Sequence, residues 1–332
     1  MLIEDMVRIY SPTGLEARLA EFLIHWGNEH GFEAYNDKVG NFIAERGENP
    51  EILLVGHMDT VSGEIPVRIE DGKLYGRGSV DAKGSLSCFL EAAAVSKKSI
   101  RVVGVVEEEG DSRGARHIVD KFDPAYIIIG EPSGWDSLTI GYRGNLTLCY
   151  KNKKPKKHSS LPEPNSCEEA VRFFNALKNF TTKYNERKTP FNQLGVKLLS
   201  IRSEENGFSE QTELSVNIRI PIGFDTEKLE ELVTEHKKGA KIEYSSMEKP
   251  VMAGKRNRLV SSFIKAVRLE GGKFGFKVKT GTSDMNILRE YNVPIVTYGP
   301  GDSRLDHTPN EHLDLAEYKK AVKVMKRVLE RI

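Results

Sequence analysis

Ile52-Leu53-Leu54-Val55 is an aliphatic run bounded by Asn49-Pro50 and Gly56, and it leads directly into His57-Met58-Asp59-Thr60. A run of this kind reads as a strand buried on both faces, the environment of a parallel sheet covered by helices. Polar groups just beyond such a strand sit where open α/β sheets place their active sites. His57 offers an imidazole ligand for a metal, and Asp59 a carboxylate to orient it. Taken alone, a His-x-Asp pair more often has nothing to do with a metal. Its weight here depends on four further acidic or histidine clusters, each at the end of an expected strand or in a loop.

The pattern around that strand predicts alternation. Leu15, Leu19, Phe22, Leu23 and Trp26 recur at helical spacing, and Gly31 is a stop signal. Strands are expected at 33–45, 51–56 and 66–75, a helix at 82–96, a strand at 100–106, a helix at 113–121 and a strand at 126–129. Strands alternating with helices indicate an α/β fold with a mostly parallel sheet flanked by helices. The character changes near Gly141. An edge strand at 139–151, helices at 166–180 and 226–239, and strands at 194–203 and 212–221 suggest an inserted α+β domain. The first pattern then resumes: helix 257–270, strand 276–280, helix 284–291, strand 294–299 and a closing helix over 313–329. The expected division is 1–140 and 249–332 for a split catalytic domain, with 141–248 as the insertion.

With 332 residues the chain suits two domains. A net charge of +1 gives no reason to expect a nucleic-acid or membrane partner. Three cysteines without a C-x-x-C pair argue against a disulfide framework, and a reducing cytoplasm is the expected compartment. The first residues lack a basic segment followed by an apolar one, so no signal peptide is expected.

The second cluster, Gly76–Gly84 (GRGSVDAKG), spaces its residues G-x-G-x-x-D, which is not a dinucleotide fingerprint. Asp81 would fall just before a helix, either as an N-cap or as a carboxylate facing His57. The third, Glu107-Glu108-Glu109-Gly110-Asp111, follows a buried strand; adjacent carboxylates are usually solvated on a loop, but at a strand end they are harder to explain unless a cation compensates them. Glu131, after the strand at 126–129, and His307, in the loop before the last helix, complete the set. Two imidazoles and three carboxylates without a thiolate suit zinc, cobalt or manganese. One bridging carboxylate would let the five hold two metals, with a further carboxylate as general base.

The ordered clusters GHMDTV, GRGSVDAKG, EEEGDSRGA, GEPSG, TGTSD and DHTPNEHL, running from residue 56 to 313, resemble the motif set of the di-zinc deacylase and peptidase family. Acetylornithine deacetylase, succinyl-diaminopimelate desuccinylase and several carboxypeptidases belong to it. The resemblance implies two divalent metal ions, zinc or, in its place, cobalt. His57, Asp81 and Glu131 would hold one, and Asp81, Glu109 and His307 the other. Glu108 would be the general base, Asp59 would support His57, and a cis peptide would follow Asp81. The insertion would be a lid and dimerisation domain, making the protein a homodimer. In that lid His158 would stabilise the oxyanion, while Arg219, with Thr282 and Ser283, would grip a substrate carboxylate. The family pattern E-E-G selects Glu108 and Glu109 from the three glutamates.

Within the family, EEEGDSRGAR and PGDSRLDHTPNEH are most similar to the branch that releases lysine or ornithine from the γ-glutamyl C-terminus of LysW, a small acidic carrier protein. The lysines between Lys151 and Lys157 would then steer the carrier by long-range attraction. A deacetylase of N-acetyl-lysine or N-acetyl-ornithine, or a dipeptidase, would share the same catalytic centre. A non-catalytic relative that binds metal or amino acids would be expected to have lost Glu108 or a ligand, and none is missing.

Overall fold

The computed structural model describes all 332 residues, which divide into two compact units. One comprises Met1–Gly141, Ala253–Val278 and Ser283–Ile332; the other comprises Tyr142–Met252 and Lys279–Thr282. The return segment Lys279–Thr282 thus groups with the insertion, whereas the sequence pattern places it with the catalytic domain. No helix is long and apolar enough to cross a membrane.

The first unit is built on a mixed sheet. Its centre is four parallel strands in the order Ile100–Val105, Ile52–His57, Tyr126–Gly130 and Ile295–Tyr298. All six residues of Ile52–His57 are buried, as the aliphatic run requires. The expected strand at 33–45 is a hairpin, Glu33–Asn36 against Phe42–Arg46. The expected strand at 66–75 is also a hairpin, turning at Asp71 and Gly72, both at positive φ (49° and 74°). A first helix, Leu2–Arg8, goes beyond the sequence expectation; it buries Leu2, Ile3, Met6 and Val7. Helix Lys83–Ala93 packs closely on the sheet because glycines lie beneath it. A Cβ on Gly130 would come 3.0 Å from Phe89 and 3.2 Å from Ser85, and one on Gly56 would come 3.1 Å from Leu86. That close approach delivers the start of the helix to the carboxyl ends of the strands.

The second unit has a four-stranded antiparallel sheet in the order Gly195–Glu205, Ser209–Ile220, Gly144–Pro155, Lys241–Glu248. Helices Ser166–Tyr184 and Glu227–His236 bury Leu146, Leu148, Tyr150, Phe173, Leu214, Val216 and Ile218 on one face. Asn165 and Glu168 form a capping box at the start of the longer helix. The edge strand expected at 139–151 is two strands that break at Arg143: Ser137–Tyr142, in the sheet of the first unit, and Gly144–Pro155, an interior strand of this one. Gly144–Pro155 pairs on both sides because Lys241–Glu248, absent from the sequence expectation, covers its other edge.

Candidate metal centre

The site forms where five chain segments of the first unit end together. His57 closes its strand and is 1% exposed. Its Nδ1 lies 2.9 Å from the backbone oxygen of Asp59, which can only accept, so Nδ1 carries the proton. That leaves Nε2 facing Asp81 Oδ1 at 3.3 Å and Glu131 Oε1 at 3.8 Å, as a donor when protonated or as a lone pair toward a cation between them. Asp81 precedes helix Lys83–Ala93, and its peptide bond to Ala82 is cis. Its other oxygen, Oδ2, is 3.0 Å from His307 Nε2, which is also 2.8 Å from Glu109 Oε1. One carboxylate therefore presents its two oxygens to two different histidines.

The groups fall into two trios whose ligand atoms lie within 4.8 Å of one another: His57, Glu108 and Glu131, and Asp81, Glu109 and His307. Glu108 stands in the first trio where the family resemblance puts Asp81, although Asp81 also reaches His57. Asp59 does more than support His57. Its carboxylate accepts the amide N–H of Glu108 at 3.0 Å and of Glu109 at 3.1 Å, along with the Thr13 hydroxyl at 2.9 Å. It thereby fixes the turn that carries both glutamates.

The electrostatics fit a cation. Burial disfavours a charged His57, yet hydrogen bonds to Asp59 and Asp81 lift its pKa well above the usual value. Asp81 and then Glu109 push His307 up to about 10. Withdrawal from solvent raises the Glu108 carboxyl well above its ordinary range, with Glu131 adding to the effect. Crowded carboxylates facing imidazole lone pairs need positive charge between them, supplied by protons or by divalent ions. An all-N/O donor set suits zinc, cobalt or manganese.

Sequence reasoning missed several groups here. Glu311 is fully buried and bonded to Arg77 and to the Asp81 loop. Lys83 is fully buried, its Nζ 2.7 Å from Ile9 O; burial lowers its pKa to about 7. Asp284 is 2% exposed, its Oδ1 has no hydrogen-bond partner, and burial raises its pKa to about 7. An aspartate before an apolar helix reads as an N-cap, and only the fold shows its depth.

The remaining expected residues make contacts within their own units. Ser283 is buried in the first unit and its hydroxyl accepts Met285 N–H. His158, Arg219 and Thr282 belong to the inserted unit. There Arg219 donates to the Thr282 hydroxyl at 3.1 Å, and His158 is exposed with Nδ1 2.8 Å from Ser160 Oγ.

The profile of peptidase family M20/M25/M40 matches residues 53–331, a span that takes in every residue of both trios. The chain belongs to this family. The M20/M25/M40 assignment agrees with solved structures. An M20 family metallo-carboxypeptidase from Sulfolobus solfataricus superimposes with a TM-score of 0.79 at 17% identity, over 99% of this chain and 98% of that one. Two relatives are similar in sequence over the whole length. A Thermococcus kodakarensis protein provisionally named a LysW-lysine/LysW-ornithine hydrolase is 41% identical, over 99% of this chain and 91% of the relative. The LysW-lysine hydrolase of Deinococcus radiodurans is 38% identical, over 100% of this chain and 96% of its own.

Proposed function

We propose that this M20/M25/M40 protein is a metal-dependent amide hydrolase that releases L-lysine, and also L-ornithine, from the γ-glutamyl C-terminus of the LysW carrier. The observation that carries the reading is the divided Asp81 carboxylate, 3.3 Å from His57 on one oxygen and 3.0 Å from His307 on the other. The names of two full-length relatives support the substrate. Two divalent cations, zinc or cobalt, held by His57, Asp81 and Glu131 and by Asp81, Glu109 and His307, would supply Lewis acidity toward the amide carbonyl and a water of lowered pKa.

The chain's own groups do the rest. Glu108, its pKa raised by burial, takes a proton from the attacking water. The water oxygen adds to the amide carbon, the C–N bond breaks, and Glu108 returns the proton to the leaving α-amine. The glutamate γ-carboxylate stays on the carrier. Asp59 holds Glu108 and Glu109 in place through their amides. His158 donates to the developing oxyanion, and Arg219, Thr282 and Ser283 receive the carboxylate of the departing amino acid. The inserted unit acts as lid and dimerisation domain. Its edge strand Gly195–Glu205 exposes Leu199 and Ile201, and the following turn leaves Phe208 89% exposed, which supports a homodimer. The biosynthetic substrate supports a cytoplasmic location.

Purified protein loaded with zinc or cobalt should hydrolyse LysW-linked lysine and ornithine with a kcat/KM well above that for N-acetyl-lysine or N-acetyl-ornithine. The reverse order would replace this reading with that of a small-molecule deacylase.

A further inference from the structure

Asp81 can present its two oxygens to separate histidines only if its loop is held from behind. The backbone of that loop is gripped by one side chain, Glu311, which lies four residues beyond His307 in sequence. Glu311 Oε1 accepts the amide N–H of Val80 at 2.9 Å and of Asp81 at 3.1 Å. Its Oε2 accepts Arg77 Nη1 at 2.9 Å. Arg77 in turn donates to Gly63 O at 2.9 Å and to Thr308 O at 3.1 Å, next to His307. Glu311 is fully buried and Arg77 is 8% exposed.

A buried ion pair is costly to assemble and contributes little net stability, but it specifies geometry when every lone pair is used. This one ties the loop of the bridging aspartate to the loop of the exposed histidine, two segments more than 200 residues apart. Groups that hold a ligand's backbone or ring from outside commonly decide metal affinity. We propose that Glu311 is a positioning residue that sets the two-sided orientation of Asp81, and that the two backbone amides it accepts, rather than its negative charge, carry the effect. The assignment rests on the two-cation reading above.

The test is a pair of variants titrated with cobalt(II) by calorimetry, each compared with the native metal-free protein and checked by a metal-free thermal melt. In Glu311→Gln the amide oxygen still accepts from Val80 and Asp81, since that sets its NH2 against one donor, Arg77 Nη1, rather than two; the Arg77 bond is lost, and its cost in stability is read in the metal-free melt. In Glu311→Asp the charge remains for Arg77, but the side chain is one methylene short of the two amides. Glu311→Gln should keep two cobalt sites at near-native affinity, whereas Glu311→Asp should weaken at least one of them by about 10- to 100-fold. Rescue by the neutral variant and failure of the charged one is a split that general destabilisation does not produce. Native affinity for two cobalt ions in Glu311→Asp overturns the assignment, as does equal loss in both variants. A native protein that takes up fewer than two cobalt ions overturns the two-cation reading itself, and the assignment with it.

Discussion

The two units solve the burial problem in opposite ways. The strands at the centre of the first unit are covered on both faces, and polar chemistry is confined to their ends, where His57, Glu108, Glu109 and Glu131 emerge. The sheet of the inserted unit is apolar on one face only. Its other face carries hydrogen-bonded polar side chains such as Asn145, Asn217, Ser246 and Thr147. A sheet buried on both faces gives a rigid rim on which to hold charges within hydrogen-bond distance. A one-sided sheet offers a broad polar surface and an open edge, which suits binding and association more than chemistry.

The sharpest way to test that division is at the rim. Glu108→Gln should lower kcat by about 10²–10⁴-fold while leaving cation binding largely intact, the loss expected of a general base. Glu109→Gln should instead lower cation occupancy, read by metal analysis of the purified protein. Near-normal turnover in Glu108→Gln would move the chemistry off the rim. Removing cations with a chelator should abolish activity while the melting of the inserted unit stays unchanged, since its core holds no group of either trio.

Core truncations probe the same contrast in stability. Phe89 and Phe173 are each 0–1% exposed, one in each core. Either change to Ala should cost about 3–5 kcal/mol of the unit that contains it. Hydrogen exchange then separates the units: Phe173→Ala should speed exchange in Gly144–Pro155 and Ser209–Ile220, while Ile52–His57 keeps its protection. Equal loss of protection in both sheets would show that the two units fold as one.

The same contrast accounts for what was legible in sequence. The parallel strands announce themselves because burial on both faces demands unbroken apolar runs such as Ile52–Val55 and Ile127–Ile129. A cluster of carboxylates straight after such a run is costly to hold at a sheet end unless a cation balances it, so its position favours a site once the other clusters are counted with it. Lys241–Glu248 was missed because it is largely solvated, and its Lys-Ile-Glu-Tyr-Ser-Ser-Met-Glu pattern lacks a clean alternation. That omission made Gly144–Pro155 look like an edge. Glu311 and Asp284 were missed for a different reason. Both lie inside the motifs TGTSD and DHTPNEHL, but nothing local distinguishes a buried carboxylate from a loop or capping residue, and the partners of Glu311 lie more than 200 residues away.

The open edge gives a smaller effect. Ile201→Lys, on the exposed strand Gly195–Glu205, should leave unfolding free energy within about 0.5 kcal/mol of native, as for most surface changes. It should still shift the proposed homodimer toward monomer in sedimentation, because an edge lysine opposes strand pairing. A dimer of unchanged strength would remove this edge from the association surface.

The smallest effect belongs to the lysine-rich segment. Read as sequence it is a basic run, but the structure pairs Lys151 with Glu243, Lys154 with Glu169, Lys156 with Glu205 and Lys157 with Glu163. Each pair is nearly neutral at distances large compared with its own separation, and salt screens the remainder over about 8–10 Å, so the field that would steer an acidic carrier is largely removed. Lys153 is exposed and makes no ion pair. Lys153→Gln should therefore lower kcat/KM toward the carrier substrate by less than about twofold at low salt, in keeping with the small worth of a single exposed charge. A larger, salt-sensitive loss would mean that Lys153 itself steers the carrier, and that the polar unit contributes to the rate after all.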